Sequence, residues 1–341
     1  MLDGMTGSAL TFPILIGDIG GTNARFSILH DAGHMPADVM QVATADYASI
    51  ELAIQTAVLP ALQIAPRSAL LAIAAPVDGD EIALTNCGWT IKPKEMLQSF
   101  NLGAVVLLND FEAQALAAAS LSENDRVEIG SVGSPKLATR IVLGPGTGLG
   151  VAGLLRAGNS WLPLAGEGGH VDLGPRSDRD HEIFPHLNRI AGRVSAEEIL
   201  SGRGLSNLYK AICAADGVEP TVMSPAAITE CGLSGQNKQA AETITLFLTY
   251  LGRIAGDLAL TFMARGGVFI AGGIAPRIMD AFKSGRFREA FEDKAPHQHL
   301  MASIPSYILT HPQAALAGLA KFASMPEDYA IAIKDRQWDR R

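Results

Sequence analysis

The sequence predicts an α/β fold of two domains, on three observations. Short apolar runs alternate with helical patterns. A glycine-rich turn between two apolar runs occurs twice, around Thr22 and around Thr147. At 341 residues, the chain has room for two cores rather than one.

Taken in order, the apolar run from Ile14 ends in Asp18-Ile19-Gly20-Gly21-Thr22-Asn23 and turns straight into a second strand-like run ending at Leu29. Residues 70–74 and 105–108 read as buried strands, and 111–120 as a helix. The polar stretch 121–138, with Gly130, Gly133 and Pro135, marks a domain boundary. Residues 141–154 repeat the strand, glycine turn and strand, with Gly146-Thr147-Gly148 at the turn. The densely charged stretch 176–193 reads as a solvated excursion or a subunit contact. The clearest helix spans 239–265, where Ile244, Phe247, Leu248, Leu251, Ile254, Leu258 and Phe262 recur at helical spacing. Gly266 and Gly267 are expected to stop it. The apolar run 268–271 then leads to Gly272-Gly273 and a helix opened by Pro276. The mixed polar tail 325–341 is expected to pack loosely.

Composition excludes several classes. Hydrophobic residues make up 48% of the chain and charged residues 18%, as in ordinary globular enzymes. A net charge of −8 without a Lys/Arg-rich run disfavours nucleic acid as a partner. Cys87, Cys213 and Cys231 are scattered, offering neither a disulfide framework nor a metal pair, so a reducing cytoplasm is expected. The first six residues lack a basic targeting region. No uninterrupted apolar run approaches the roughly 20 residues that span a bilayer, so no membrane role is expected.

The chemistry begins at the two turns. Glycines without side chains let backbone N–H groups approach a phosphate, and Asp18 puts a carboxylate where a Mg²⁺ would sit. The better-known phosphate loops, G-x-x-x-x-G-K-[ST] and a G-x-G-x-x-G opening a helix, are absent. Two such turns a domain apart point to a duplicated unit clamping one nucleotide. Asn109-Asp110 follows a buried strand, at the strand end where α/β sheets bind ligands. Asp110 admits two readings, a helix N-cap or a base accepting a hydroxyl proton. Gly166-Glu167-Gly168-Gly169-His170 is a loop able to present a carboxylate and an imidazole to a small polar ligand. Too few ligands surround it for a metal. In Ser195-Ala196-Glu197-Glu198, Ser195 and Glu198 form a capping box, which leaves Glu197 as the candidate ligand contact or as a carboxylate favoured by a helix N-terminus. Three carboxylates, an amide and an imidazole suit a polyhydroxyl ligand.

With these residues assembled, the chain resembles the bacterial glucokinase family, within the superfamily of sugar kinases, actin and chaperone ATPases, from about Phe12 to Phe322. Asp18, Gly20, Gly21, Thr22 and Asn23 look like its first phosphate motif. Gly146, Thr147 and Gly148 look like the second, and Gly272 with Gly273 like the adenosine motif. Thr85-Asn86-Cys87-Gly88-Trp89 matches a family Asn-x-x-Trp turn, read as structural. The resemblance implies two actin-like (ribonuclease H-like) domains with a cleft between them, 10–120 plus 312–341 and 121–311. It implies ATP and Mg²⁺ as cofactors, with Asp18 toward the metal, and phosphorylation of glucose to glucose 6-phosphate. It places Asn109, Asp110, Glu167, His170 and Glu197 on glucose-contacting positions, Asp110 as the base, and it implies a homodimer. The related kinases and repressors abbreviated ROK carry a cysteine zinc cluster that is missing here. The alternative enzyme is a kinase for mannose, fructose or an amino sugar such as glucosamine. A sugar-sensing repressor would need a DNA-binding segment ahead of Asp18, where only 17 residues stand. An actin-like filament protein would leave Glu167, His170 and Glu197 without a task.

Overall fold

The computed structural model describes residues 10–33, 35–84, 86–130, 133–331, 333 and 335–340. Residues 1–6, read above for a targeting signal, and Thr85 lie outside them. The chain divides into two compact units, the first made of Met1–Ser122, Leu154–Ala165 and His311–Arg341, the second of Glu123–Gly153 and Gly166–Thr310. The sequence reading placed 154–165 in the second domain. Contacts put these residues with the first unit, where the Ala330 N–H donates to the Trp161 carbonyl (2.7 Å).

In the first unit, β1 (Ile14–Ile19) and β2 (Asn23–Leu29) form the predicted hairpin, and β3 (Met40–Ala43) extends it antiparallel. β4 (Ser68–Ile73) then runs parallel to β1. After a short hairpin of β5 (Ile82–Ala83) and β6 (Thr90–Ile91), β7 (Ala104–Asn109) runs parallel to β4. Every residue of β4 is buried, as expected for a central parallel strand covered on both faces.

The second unit contains β8 (Arg126–Glu128), β9 (Arg140–Pro145), β12 (Val268–Ile270) and β13 (Ser306–Leu309). Its sheet also includes β10 (Leu149–Ala157) and β11 (Ser160–Gly166). The strand order is β11-β10-β9-β12-β13-β8. With β14 (Gln337–Asp339), the first sheet reads β3-β2-β1-β4-β7-β14. The two orders match strand for strand. In each, three successive strands lie side by side, two later strands are added parallel beyond the first of them, and one antiparallel strand closes the far edge. The duplication inferred from the two glycine turns is thus a duplication of sheet topology, with each turn joining the first two of the three successive strands, although the closing edge strand comes last in the chain in the first sheet (β14) and first in the second (β8).

Three expectations need correction. The tail is not loose, since Gln337–Asp339 pairs antiparallel with β7 and Tyr329 and Ile331 are buried. Three polar-flanked residues are too few to show a strand period; the exposed edge of β7 recruits them. Next, the long helix is Lys238–Phe262, and Met263, in left-handed conformation (φ 49°), rather than a glycine, ends it. The Ala264 N–H donates back to the Ala259 carbonyl (3.0 Å), and burial of Ala264 beyond the cap offsets the strain at Met263. By length and hydropathy this helix could cross a membrane. Instead its Phe247, Leu251 and Ile254 lie in the second unit's core.

Finally, the charged stretch 176–193 is not merely solvated. Ser177 caps the helix Asp178–Ile183, and Asp180 within it is buried. Asp180 accepts from the Tyr250 hydroxyl (2.9 Å), from the Arg176 N–H (2.8 Å) and from Arg253 (3.3 Å). Burial pushes the Asp180 carboxyl up, but hydrogen bonds from the Arg176 and Ser177 amides, the Tyr250 hydroxyl and the Ser177 side chain together outweigh it and hold the carboxyl below the ordinary range.

Candidate active site

The first unit's candidate residues lie on the β1–β2 turn and at the end of β7. Asp18 pairs across the hairpin with Arg25, whose guanidinium lies 3.6 Å from the carboxylate. Burial pushes the Asp18 carboxyl up and the arginine pulls it down, with burial the larger effect. Within the turn the Gly20 N–H donates to the Asn23 carbonyl (3.0 Å), so that amide is not available to a phosphate. The amides of Gly21 and Thr22 have no partner among the described residues. Two neighbours brace the turn. Thr44 donates its hydroxyl to the Gly21 carbonyl (2.8 Å). Asn86 packs so closely that a Cβ on Gly21 would sit 2.6 Å from its own Cβ. The Asn-x-x-Trp turn therefore shapes the β1–β2 turn, and Trp89 anchors it by donating to the Tyr47 carbonyl (2.8 Å).

At the end of β7 the structure separates the two readings of Asp110. Asn109 is the N-cap of the helix Asp110–Ser120, its side-chain oxygen accepting from the Phe111 N–H (2.9 Å). Glu112 completes the capping box, accepting from the Asn109 N–H (2.9 Å). Asp110 is thus the first helical residue rather than the cap. It is half-buried and itself accepts from the Phe111 N–H (2.9 Å). The alanine-rich helix behind it packs against the helix Ala314–Ser324 at backbone distance, since a Cβ on Gly318 would lie 2.2 Å from the Ala113 carbonyl.

The second unit's candidate residues gather around the start of β10. In the turn after β9, Gly146 N–H donates to the Gly148 carbonyl (2.8 Å), while Thr147 is exposed at the tip. The amides of Thr147 and Gly148 have no partner among the described residues. Helix Gly202–Ala215 braces this turn through the Gly202 N–H and the Gly146 carbonyl (2.8 Å). Glu197 accepts from the Leu149 N–H (2.9 Å), and a Cβ on Gly148 would come within 2.4 Å of its carboxylate. On the other side of Leu149, a Cβ on Gly169 would lie 1.9 Å from its carbonyl oxygen. One backbone position therefore holds both the Glu197 carboxylate and the turn Gly168–His170. Glu167 and His170, both exposed, stand 3.7 Å apart on that turn. Gly272 follows β12 at φ 78° with the Pro145 carbonyl 2.5 Å from where a Cβ would stand, a conformation and a fit that demand glycine. Gly273 beside it has open space.

The expected capping box at Ser195 does not form. Residues Ala196–Glu198 make a single 3₁₀ turn, too short to align the Ser195 side chain with a free amide, and that buried hydroxyl has no partner among the described residues. Glu198 is nonetheless buried, its carboxylate accepting from Arg203, which also lies 3.6 Å from Glu197. Sequence reading missed Arg203, and with it Arg25 and Arg193. The hairpin register alone would have placed Arg25 opposite Asp18. Arg193 donates to Asp172 (2.7 Å) and to the His170 carbonyl (3.0 Å), across a loop that no local pattern reveals.

In outline, then, each unit offers a glycine turn with donor amides next to acidic side chains, and the family model for glucokinase matches residues 15–326. The chain belongs to the glucokinase family. It is 60% identical to the glucokinase of Agrobacterium fabrum over 329 residues, covering 96% of this chain and 97% of that one. It is 57% identical to the glucokinase of Brucella suis over 330 residues, with 97% and 96% covered. The crystal structure of a glucokinase from an Antarctic psychrotroph superposes with a TM-score of 0.79 at 34% identity, covering 91% of this chain and 98% of that one. The α/β fold expected of a glucokinase-family chain is borne out.

Proposed function

We propose that this chain is an ATP-dependent glucokinase that converts D-glucose to glucose 6-phosphate. What carries the reading is the 60% identity to a glucokinase over nearly the whole chain. The residues support it, since an acidic group sits at the C-terminal end of a parallel strand, where α/β sheets bind their ligands. In the proposed reaction the sugar's 6-hydroxyl oxygen attacks the terminal phosphorus of ATP, its proton passes to the Asp110 carboxylate, and ADP leaves. Phosphoryl transfer of this kind depends chiefly on positioning and charge stabilisation. The amides of Gly21, Thr22, Thr147 and Gly148 donate to phosphate oxygens. Glu167, His170 and Glu197 pair with sugar hydroxyls, and the Asn109 amide nitrogen, only 3.4 Å from the Ala75 carbonyl, has donor capacity to spare. Gly272 and Gly273 let the adenosine approach backbone. Among the described residues no three metal-binding side chains cluster, which suits Mg²⁺, an ion held by one or two carboxylates and the phosphates themselves. Asp18 fits as that carboxylate, and the ion when bound supplies positive charge to the transferred group. Residence in the cytoplasm, supported by three unpaired cysteines, and assembly as a homodimer belong to the same reading.

ADP formation across a panel of hexoses with Mg-ATP tests the proposal. Glucose should give a kcat/KM at least tenfold above mannose, fructose and glucosamine; equal or better use of another sugar overturns the assignment.

Gly148→Ala probes the link between phosphate turn and sugar site. The added methyl meets only the flexible end of Glu197, so the fold should hold, while the carboxylate must leave its place. The KM for glucose should rise roughly tenfold or more, the cost of one charged hydrogen bond, with Tm nearly unchanged. Gly169→Ala meets backbone instead and should lower Tm.

A further inference from the structure

The C-terminal tail delivers a charge to the turn that carries the base. Glu112 is 1% exposed, and a carboxylate so buried needs a counter-charge. Arg336 provides it, one guanidinium nitrogen (Nη1) donating to both Glu112 oxygens at 2.8 and 2.7 Å. The same Glu112 carboxylate accepts the Asn109 N–H (2.9 Å), the bond that fixes the passage from β7 into the helix beginning at Asp110. The arginine is itself held in place, for its carbonyl accepts the Leu107 N–H (3.0 Å) and its neighbours Gln337–Asp339 pair with β7. An ordinary capping box needs no arginine, because water can solvate its glutamate. Here the box is buried and depends on a residue 224 positions away in sequence.

We infer that Arg336 is a positioning residue for the proposed base. It acts through Glu112, holding the Asn109–Asp110 turn so that the Asp110 carboxylate meets the acceptor hydroxyl. Asp110 is the first residue of its helix, so a loosened cap moves its backbone directly. Misplacement of a reacting group by about 1 Å can cost 10²-fold in rate. The inference rests on the glucokinase reading above, and its test separates the two.

The experiment compares R336M, R336K and R340A in the full-length protein. R340A breaks another attachment of the tail, that of Arg340 to Asn101, and serves as control. R336M should lower kcat at least tenfold while the KM for glucose changes less than about threefold, since the sugar's other contacts remain. R336K should recover at least half of the wild-type kcat, because one ammonium nitrogen can bridge two oxygens as Nη1 does. R340A should keep wild-type kcat. Amide hydrogen exchange at 109–113 should quicken at least tenfold in R336M and stay unchanged in R340A. Should R336M fail to fold, R336M/E112M, which removes the buried charge and with it the acceptor of the Asn109 N–H, is expected to show the same loss of kcat and the same exchange. A folded R336M, or the folded double variant in its place, with kcat within twofold of wild type or unchanged exchange overturns the inference. So does an R336K variant no better than R336M. A wild-type chain inactive on every hexose would instead sink the glucokinase reading, and the exchange data would still report on the Arg336–Glu112–Asn109 connection.

Discussion

Asp110→Asn is expected to lower kcat by about 10²–10⁴-fold while leaving glucose binding within a few-fold of wild type. An amide keeps the size of the carboxylate and can still accept the Phe111 N–H, so the helix start should survive. It cannot take a proton from the attacking hydroxyl. The main structural loss is one negative charge at a helix N-terminus, worth roughly 0.3–1 kcal/mol, too small to unfold the unit. Rates of ADP formation and glucose titration by calorimetry check both halves of the expectation. Turnover within about tenfold of wild type would remove Asp110 from the role of base. Loss of glucose binding together with turnover would make it a binding residue instead.

The largest expected effect on stability lies in the second unit. Asp180→Ala removes the acceptor shared by Tyr250, Arg253 and the Arg176 and Ser177 amides, and strands a buried hydroxyl and a largely buried guanidinium. Breaking one side of such a buried pair costs roughly 3–5 kcal/mol. Chemical denaturation at pH 7 should show a loss of that order in the second unit's transition. The pH dependence has a definite sign. The carboxyl's folded pKa lies below its unfolded value of 3.8, so its contribution is fully present well above that value and disappears as pH falls through the folded pKa. The gap between wild type and Asp180→Asn should therefore be constant from about pH 5 to 7 and narrow below about pH 4. A gap that widens on acidification contradicts the assignment.

Local chemistry made much of this protein legible. A glycine turn between two apolar runs needs no partner to be recognised, and both glycine turns lie where the residues put them. The helices at 110–120 and 238–262 were readable from apolar spacing and turn signals within one window. The candidate acidic residues were likewise picked out by their glycine neighbours or by their place after a strand. The misreadings share a cause. Ser195 and Glu198 have the spacing of a capping box, yet the segment turns only once before Ser201 starts the next helix. The charges of 176–193 look solvated until the long helix brings Tyr250 and Arg253 to Asp180. Gly266 and Gly267 look like the stop, but burial of Ala264 lets Met263 take the left-handed position.

What the residues determined by themselves is the α/β class, the duplicated glycine turn and the set of acidic groups available for chemistry, since each depends on interactions spanning a few positions. Only the tertiary structure decided that Asn109 rather than Asp110 caps the helix Asp110–Ser120, that Leu149 joins Glu197 to the turn bearing Glu167 and His170, and that the tail reaches Glu112. Those facts are pairings between segments far apart in the chain. A buried carboxylate or an unpaired strand edge takes whichever donor the fold brings within reach, and no local pattern names that donor in advance.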